Sequence, residues 1–204
     1  MVARVLEALA GFVIHVISSM GLPGIVLLMA IESACIPLPS EVIMPFSGYL
    51  VHLGKYSLWS VALAGAFGCV VGSIPAYYLG MYGGRPLIEK YGRYILMSRH
   101  DLDLADRWFA RHGEATVFFA RLLPVVRTFI AFPAGVARMD MKRFIGYTFA
   151  GSLPWCLGLA YVGMAMGERW PALRGYFHKF DLLIGAALVA GIVWYVRRHL
   201  RNTR

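Results

Sequence analysis

Two stretches constrain what this chain can fold into. One runs Glu32-Ser-Ala-Cys-Ile-Pro37-Leu-Pro39-Ser-Glu41-Val-Ile-Met-Pro45-Phe-Ser-Gly48. The other runs Phe119-Ala-Arg121-Leu-Leu-Pro124-Val-Val-Arg127-Thr-Phe-Ile-Ala-Phe-Pro133-Ala-Gly135. Each is an apolar run broken by prolines and a glycine. Each carries two like charges, carboxylates in the first and guanidiniums in the second. A segment that is apolar, charged and unable to stay helical is not a plain membrane span. Irregular backbone is tolerated at membrane depth only where it faces protein or a water-filled cavity. Both stretches are therefore expected to be re-entrant helical hairpins.

The rest of the chain fits a membrane setting. Of its 204 residues, 59% are apolar and 15% charged, against about 25% charged in soluble domains. Several runs approach the roughly 20 residues that cross a bilayer. The expectation is one polytopic, all-α integral membrane domain over residues 1–204. The net charge of +9 would suggest nucleic acid in a soluble protein. Here the basic residues fall mostly in short segments between apolar runs, where topology and anionic headgroups account for them. No nucleic-acid partner is expected; the partner is the bilayer. Cys35, Cys69 and Cys156 lie in apolar segments without a CxxC pair, so they read as packing residues. No metal site and no cofactor are expected. The N-terminus is a poor signal peptide, because Glu7 interrupts its apolar region and no cleavage site followed by a mature domain is visible.

Taken in order, residues 3–19 form a helix ended by Gly21, Pro23 and Gly24, either interfacial or a short first span. The first broken stretch then runs to about Leu53. Pro37 and Pro39 force Ile36 and Leu38 out of helix, and Ser40 is placed to cap the returning helix with Glu41 in its first turn. That position also suits Glu41 as a plain helix-start charge. Residues 57–82 form a glycine-rich span, the glycines serving close helix packing. Gly83-Gly84-Arg-Pro86 reads as a break. Ser98–Asp101 resembles a capping box, and Arg99–His112 reads as an amphipathic helix on the membrane surface, stopped by Gly113. Residues 142–166 and 180–196 form two further spans. The basic tail, 197–204, places the C-terminus in the cytoplasm, although Arg169, Arg174 and Lys179 on the opposite side weaken that assignment.

Gly72-Ser-Ile-Pro75 recurs as Gly151-Ser-Leu-Pro154, each time in the span after a broken stretch. With the topology above, the two stretches dip in from opposite faces. The expected fold is thus an inverted repeat with two re-entrant hairpins facing each other near the midplane, accompanied by transmembrane and interfacial amphipathic helices.

The four charges then need company. One charge at the bilayer centre costs roughly 2.5–3.5 kcal/mol, so four alone would cost about 10 kcal/mol. Two carboxylates against two guanidiniums balance. On a continuous helix Arg121 and Arg127 would point to different sides; Pro124 between them allows both to turn to one point. Arginine at both positions favours bidentate recognition of phosphate or carboxylate. Arginine stays charged, whereas a buried glutamate can take up a proton. Glu32 and Glu41 are the protonatable candidates, and Arg121 and Arg127 the phosphate-binding ones. Protonation would free the arginines for an anionic headgroup, and deprotonation would reclaim them. Four residues in purely structural ion pairs is the competing reading.

The pattern Glu32-x4-Pro37-x-Pro39-Ser-Glu41, followed by Arg121-x2-Pro124-x2-Arg127 and Gly135, resembles the DedA family of bacterial membrane proteins, which shares its core with eukaryotic VTT-domain lipid scramblases. The resemblance covers residues 20–170. It implies functional roles for Glu32, Glu41, Arg121 and Arg127, with Pro37, Pro39, Pro124 and Gly135 shaping the hairpins. It implies a bacterial inner-membrane lipid transporter that returns undecaprenyl phosphate, the carrier lipid of cell-wall synthesis, to the inner leaflet, with a link to proton-motive force. Some members of the family move other phospholipids. A lipid phosphatase would need a nucleophile or base beside the arginines, and neither charged motif contains a histidine. A proton-coupled exporter of small cations suits the carboxylates but not the arginines. The sequence leaves open the side of the N-terminus and a homo-oligomeric state.

Overall fold

The computed structural model describes residues 2–34, 38–95, 113, 115–123 and 126–167. The expected surface helix at 99–112, the capping box at Ser98, the span at 180–196, the basic tail, and Cys35, Ile36, Pro37 and Pro124 lie outside the described residues. Those that are described form eight helices and no strand: α1 Val2–Met20, α2 Leu22–Ser33, α3 Ser40–His52, α4 Leu58–Ile95, α5 Ala115–Arg121, α6 Val126–Phe129, α7 Ala131–Val136 and α8 Met141–Met166. The all-helical expectation holds.

The break between α1 and α2 is a single residue. Gly21 has φ 65°, a conformation other residues adopt at a cost. Pro23 and Gly24 lie inside α2, whose first turn tolerates a proline because its N–H would lack a helical partner anyway. Between α2 and α3 the chain is extended at Pro39 (φ −78°, ψ 108°). Ser40 does not cap α3; Pro39 holds the cap position and Ser40 is the first helical residue.

The expected stop at Gly83–Pro86 does not occur. α4 continues to Ile95, and its stretch Leu58–Gly83 is the part long and apolar enough to cross a membrane. An internal proline removes one helical hydrogen bond, a loss that a helix can absorb as a local kink. Pro133 has a comparable effect. It has no N–H for the Phe129 carbonyl, and α6 and α7 are separated there by Ile130 alone, still at helical angles (φ −59°, ψ −25°). α8 is the second helix of spanning length, 26 residues. It starts at Asp140, whose carboxylate accepts from the Arg143 N–H at 3.0 Å.

α4 and α8 run antiparallel. Gly65 lies beside Cys156 near one end, and the Tyr77 ring lies 4.8 Å from Phe144 near the other. Two apolar clusters fill the interior. Val13, Ile25, Met29, Ile43, Met44, Cys69 and Cys156 belong to the first; Tyr77, Val117, Ala131, Ala134 and Phe144 to the second. Along α4, buried Ser73 falls between Cys69 and Tyr77. Along α8, buried Thr148 and Ser152 fall between Phe144 and Cys156. A polar layer therefore separates the clusters. Outward, Leu63, Phe67, Val71, Leu79 and Tyr82 on α4 are exposed, a stripe that suits lipid better than water.

Helix crossings recur in two places. Gly48 of α3 abuts the Ala160 carbonyl, and Gly163 of α8 abuts that of Pro45. Gly135 of α7 abuts the Tyr77 carbonyl, and Gly80 of α4 abuts that of Phe132. The members of the two crossings match spacing for spacing. A third correspondence pairs Gly68 against Val26 and Met29 with Gly151 against Phe118 and Arg121. The recurrence in contacts thus aligns Gly151 with Gly68, one helical turn from the Gly72 that the Gly-Ser-x-Pro pattern selects. Packing depends on which face a glycine occupies, and a shift of four residues keeps that face.

Candidate functional site

The polar layer holds both arginines. Arg121 ends α5 and Arg127 lies in α6, and they are 2% and 4% exposed. The Arg127 Nη2 donates to Glu32 Oε1 of α2 and, at 2.5 Å, to Ser40 Oγ of α3. The guanidinium carbon lies 5.0 Å from the ring centre of Trp155 on α8, within the range of a cation–π contact. Three elements, α2, α3 and α8, thus converge on Arg127 of α6. The Arg121 Nη2 donates to Ser73 Oγ of α4 at 2.6 Å, and that hydroxyl in turn donates to the Cys69 carbonyl at 2.5 Å.

The expected pairing of two carboxylates with two guanidiniums is found in part. Glu32, 4% exposed, pairs with Arg127. Glu41 is half-buried in the first turn of α3 and forms no ion pair among the described residues. Its place is the helix-start position that the sequence offered as the alternative, though it remains within electrostatic reach of Glu32. The fully buried charges among the described residues are Arg121, Arg127 and Glu32, two positive against one negative. Pro39 supplies the extended residue before α3. Gly135 permits the close crossing of α7 on α4.

Among the buried polar atoms without a hydrogen-bond partner among the described residues are Glu32 Oε2 and the Trp155 indole Nε1, both on side chains that touch Arg127. A buried polar group without a partner costs about 1–3 kcal/mol. Sequence reasoning missed the part played by Ser73 and Trp155. Ser73 sits inside Gly72-Ser-Ile-Pro75, and Trp155 directly follows Gly151-Ser-Leu-Pro154, where the first copy has Ala76. For Ser73 the recurrence is the signal, but in sequence it reads as packing rather than as polar lining; for Trp155 the sequence holds no such signal. Ser40 reads in sequence as a helix cap, and its hydroxyl instead accepts from Arg127. Cys69 and Cys156 are free and buried beside the layer, as packing residues would be.

These features define a helical membrane protein with a buried cationic layer. Residues 38–165 match the VTT domain. The chain is 37% identical to the uncharacterized membrane protein YkoX of Bacillus subtilis, over 94% of this chain and 85% of that one. It is 33% identical to undecaprenyl phosphate transporter A of the same organism, over 89% of this chain and 91% of that one. An alkaline phosphatase-like protein of Lactococcus lactis is 28% identical over 91% of each. No solved structure matches. The chain belongs to the VTT-domain, or DedA, family of membrane proteins.

Proposed function

We propose that this protein carries undecaprenyl phosphate, or a related anionic phospholipid, across the bacterial inner membrane as part of carrier-lipid recycling. The observation that supports the reading is the burial of two guanidiniums, Arg121 and Arg127, in one layer of the described residues, where each offers donors suited to an oxyanion. The relative named undecaprenyl phosphate transporter A supports the choice of lipid.

In this mechanism Arg121 and Arg127 receive the phosphate. Glu32 competes with it for Arg127. A proton on Glu32 removes the competitor and the headgroup enters; loss of the proton restores the ion pair and expels it. Glu41, at the start of α3, is the second protonatable group and passes protons between water and Glu32. Coupling to the proton-motive force follows from that exchange. The two hairpins, α2–α3 and α5–α7, form an inverted repeat whose rocking exposes the layer to either side in turn. The antiparallel spans and the recurring crossings support this arrangement. The protein is a transporter rather than an enzyme, with its C-terminus cytoplasmic.

The test is translocation of undecaprenyl phosphate in liposomes containing purified protein, at pH 6 and 8. Wild type should move the lipid. Arg127→Ala and Glu41→Gln, confirmed as folded, should not. Equal transport by both variants would reduce the charges to scaffolding. Release of inorganic phosphate from the same vesicles would point to a phosphatase.

A further inference from the structure

The orphaned atoms beside Arg127 say more about the headgroup. Glu32 Oε2 is buried, belongs to a side chain already fixed to Arg127 through Oε1, and has no partner among the described residues. Trp155 lies with its ring under the same guanidinium, and its Nε1–H has no partner there either. An indole N–H only donates, so it is met by an acceptor. A carboxylate oxygen accepts, or donates when it carries the proton. The described hydrogen bonds of Arg127 leave from Nη2, and a guanidinium carries five N–H donors in all. Around one cation the protein therefore offers a guanidinium edge, an indole donor, and an oxygen able to share a proton.

We infer that Trp155 is a specificity-determining residue that donates its Nε1–H to one terminal oxygen of a phosphate monoester, while Arg127 holds a second and Glu32 Oε2 shares a proton with the third. The inference rests on the proposed phosphate-lipid reading and narrows its substrate class. A monoester has three terminal oxygens for the three points. A diester headgroup has two, and leaves one point unmet. The indole ring has a second use: stacked on the guanidinium, it holds Arg127 in place without spending one of its donors.

Phenylalanine at position 155 keeps a ring face for Arg127 and removes the N–H, so Trp155→Phe separates the two uses. The probe is farnesyl phosphate, a short prenyl monoester, with farnesyl methyl phosphate as its diester and farnesol as the uncharged control. The full chain is studied in phospholipid nanodiscs with ¹⁵N-labelled indoles. There are five tryptophans, and the Trp155 signal is assigned by its loss in Trp155→Phe. Farnesyl phosphate should shift the Trp155 indole proton downfield, and farnesol should not. Trp155→Phe should bind farnesyl phosphate about tenfold more weakly, the loss of one hydrogen bond to a charged group, with an unchanged melting temperature. Wild type should prefer the monoester to the diester about tenfold, and Glu32→Gln should narrow that preference.

Should farnesyl phosphate bind while the Trp155 indole stays unmoved, Trp155 is not a ligand donor and the inference falls, with the transport reading intact. Equal affinity for monoester and diester overturns the part assigned to Glu32 Oε2. Absence of any farnesyl phosphate binding to wild type overturns the transport reading and this inference together. Should Trp155→Phe fail to fold, the other four tryptophans are replaced by phenylalanine one at a time, the Trp155 signal is assigned by elimination, and the wild-type spectrum decides the matter.

Discussion

Arg127 donates to Glu32 from 95 residues away in sequence, and the bond closes one half of the chain on the other inside a buried layer. Removing one partner of such a pair leaves a buried charge uncompensated, at a cost of about 3–5 kcal/mol. Arg127→Ala should therefore lower the melting temperature in detergent substantially. The double variant Glu32→Ala, Arg127→Ala should recover much of the loss. If the two single effects simply add, the pair is not coupled in solution as it is in the structure.

Proton linkage follows from the same pair. When Glu32 is ionised it occupies Arg127, and when it is protonated the guanidinium can turn to phosphate. Phosphate binding should therefore take up a proton and tighten as pH falls through the titration of Glu32. Farnesyl phosphate affinity measured from pH 8 to pH 5.5 should rise in wild type relative to Glu32→Gln, whose own pH dependence reports the second ionisation of the phosphate at about pH 6. A wild-type affinity that falls with acidification would reverse the sign and remove Glu32 as the competitor.

Much of this is legible in the sequence because charge in an apolar run has few physical solutions. The breaks at Glu32–Gly48 and Phe119–Gly135, the spans after them and the burial of Arg121 and Arg127 all follow from that constraint. What is not legible depends on tertiary neighbours. Ser40 looks like a cap because serine before a helix commonly is one, yet Pro39 holds that position and the hydroxyl faces Arg127. Gly83 and Pro86 look like a stop because local propensity says so, yet α4 continues. The pairing of Glu41 with an arginine comes from charge balance, which counts charges without placing them.

Ser73 offers a test of the second arginine. Its hydroxyl accepts from Arg121 and donates to the Cys69 carbonyl. Ser73→Ala removes the acceptor and should cost about 1–3 kcal/mol of stability. Undecaprenyl phosphate translocation should drop several-fold in the same variant, because Arg121 loses its orientation. Ser19, whose hydroxyl bonds locally to the His15 and Val16 carbonyls, is the control. Ser19→Ala should leave both readouts close to wild type.

The glycine crossings give a prediction independent of any ligand. A methyl group on Gly48 would run into the Ala160 backbone, and one on Gly135 into the Tyr77 backbone. Neither neighbour is the flexible end of a side chain, so the helices must move apart. Gly48→Ala and Gly135→Ala should each destabilise by about 1–3 kcal/mol, as overpacking does. Gly146 lies within α8, and a methyl group placed there would meet nothing within 4 Å. There alanine gains helix propensity at no steric cost, and Gly146→Ala should stabilise by about 0.5–1 kcal/mol. Melting temperatures in one detergent decide it. Equal losses at all three positions would mean that the crossings are looser than the structure has them, and that the matched spacing of Gly48 and Gly135 is not a packing device.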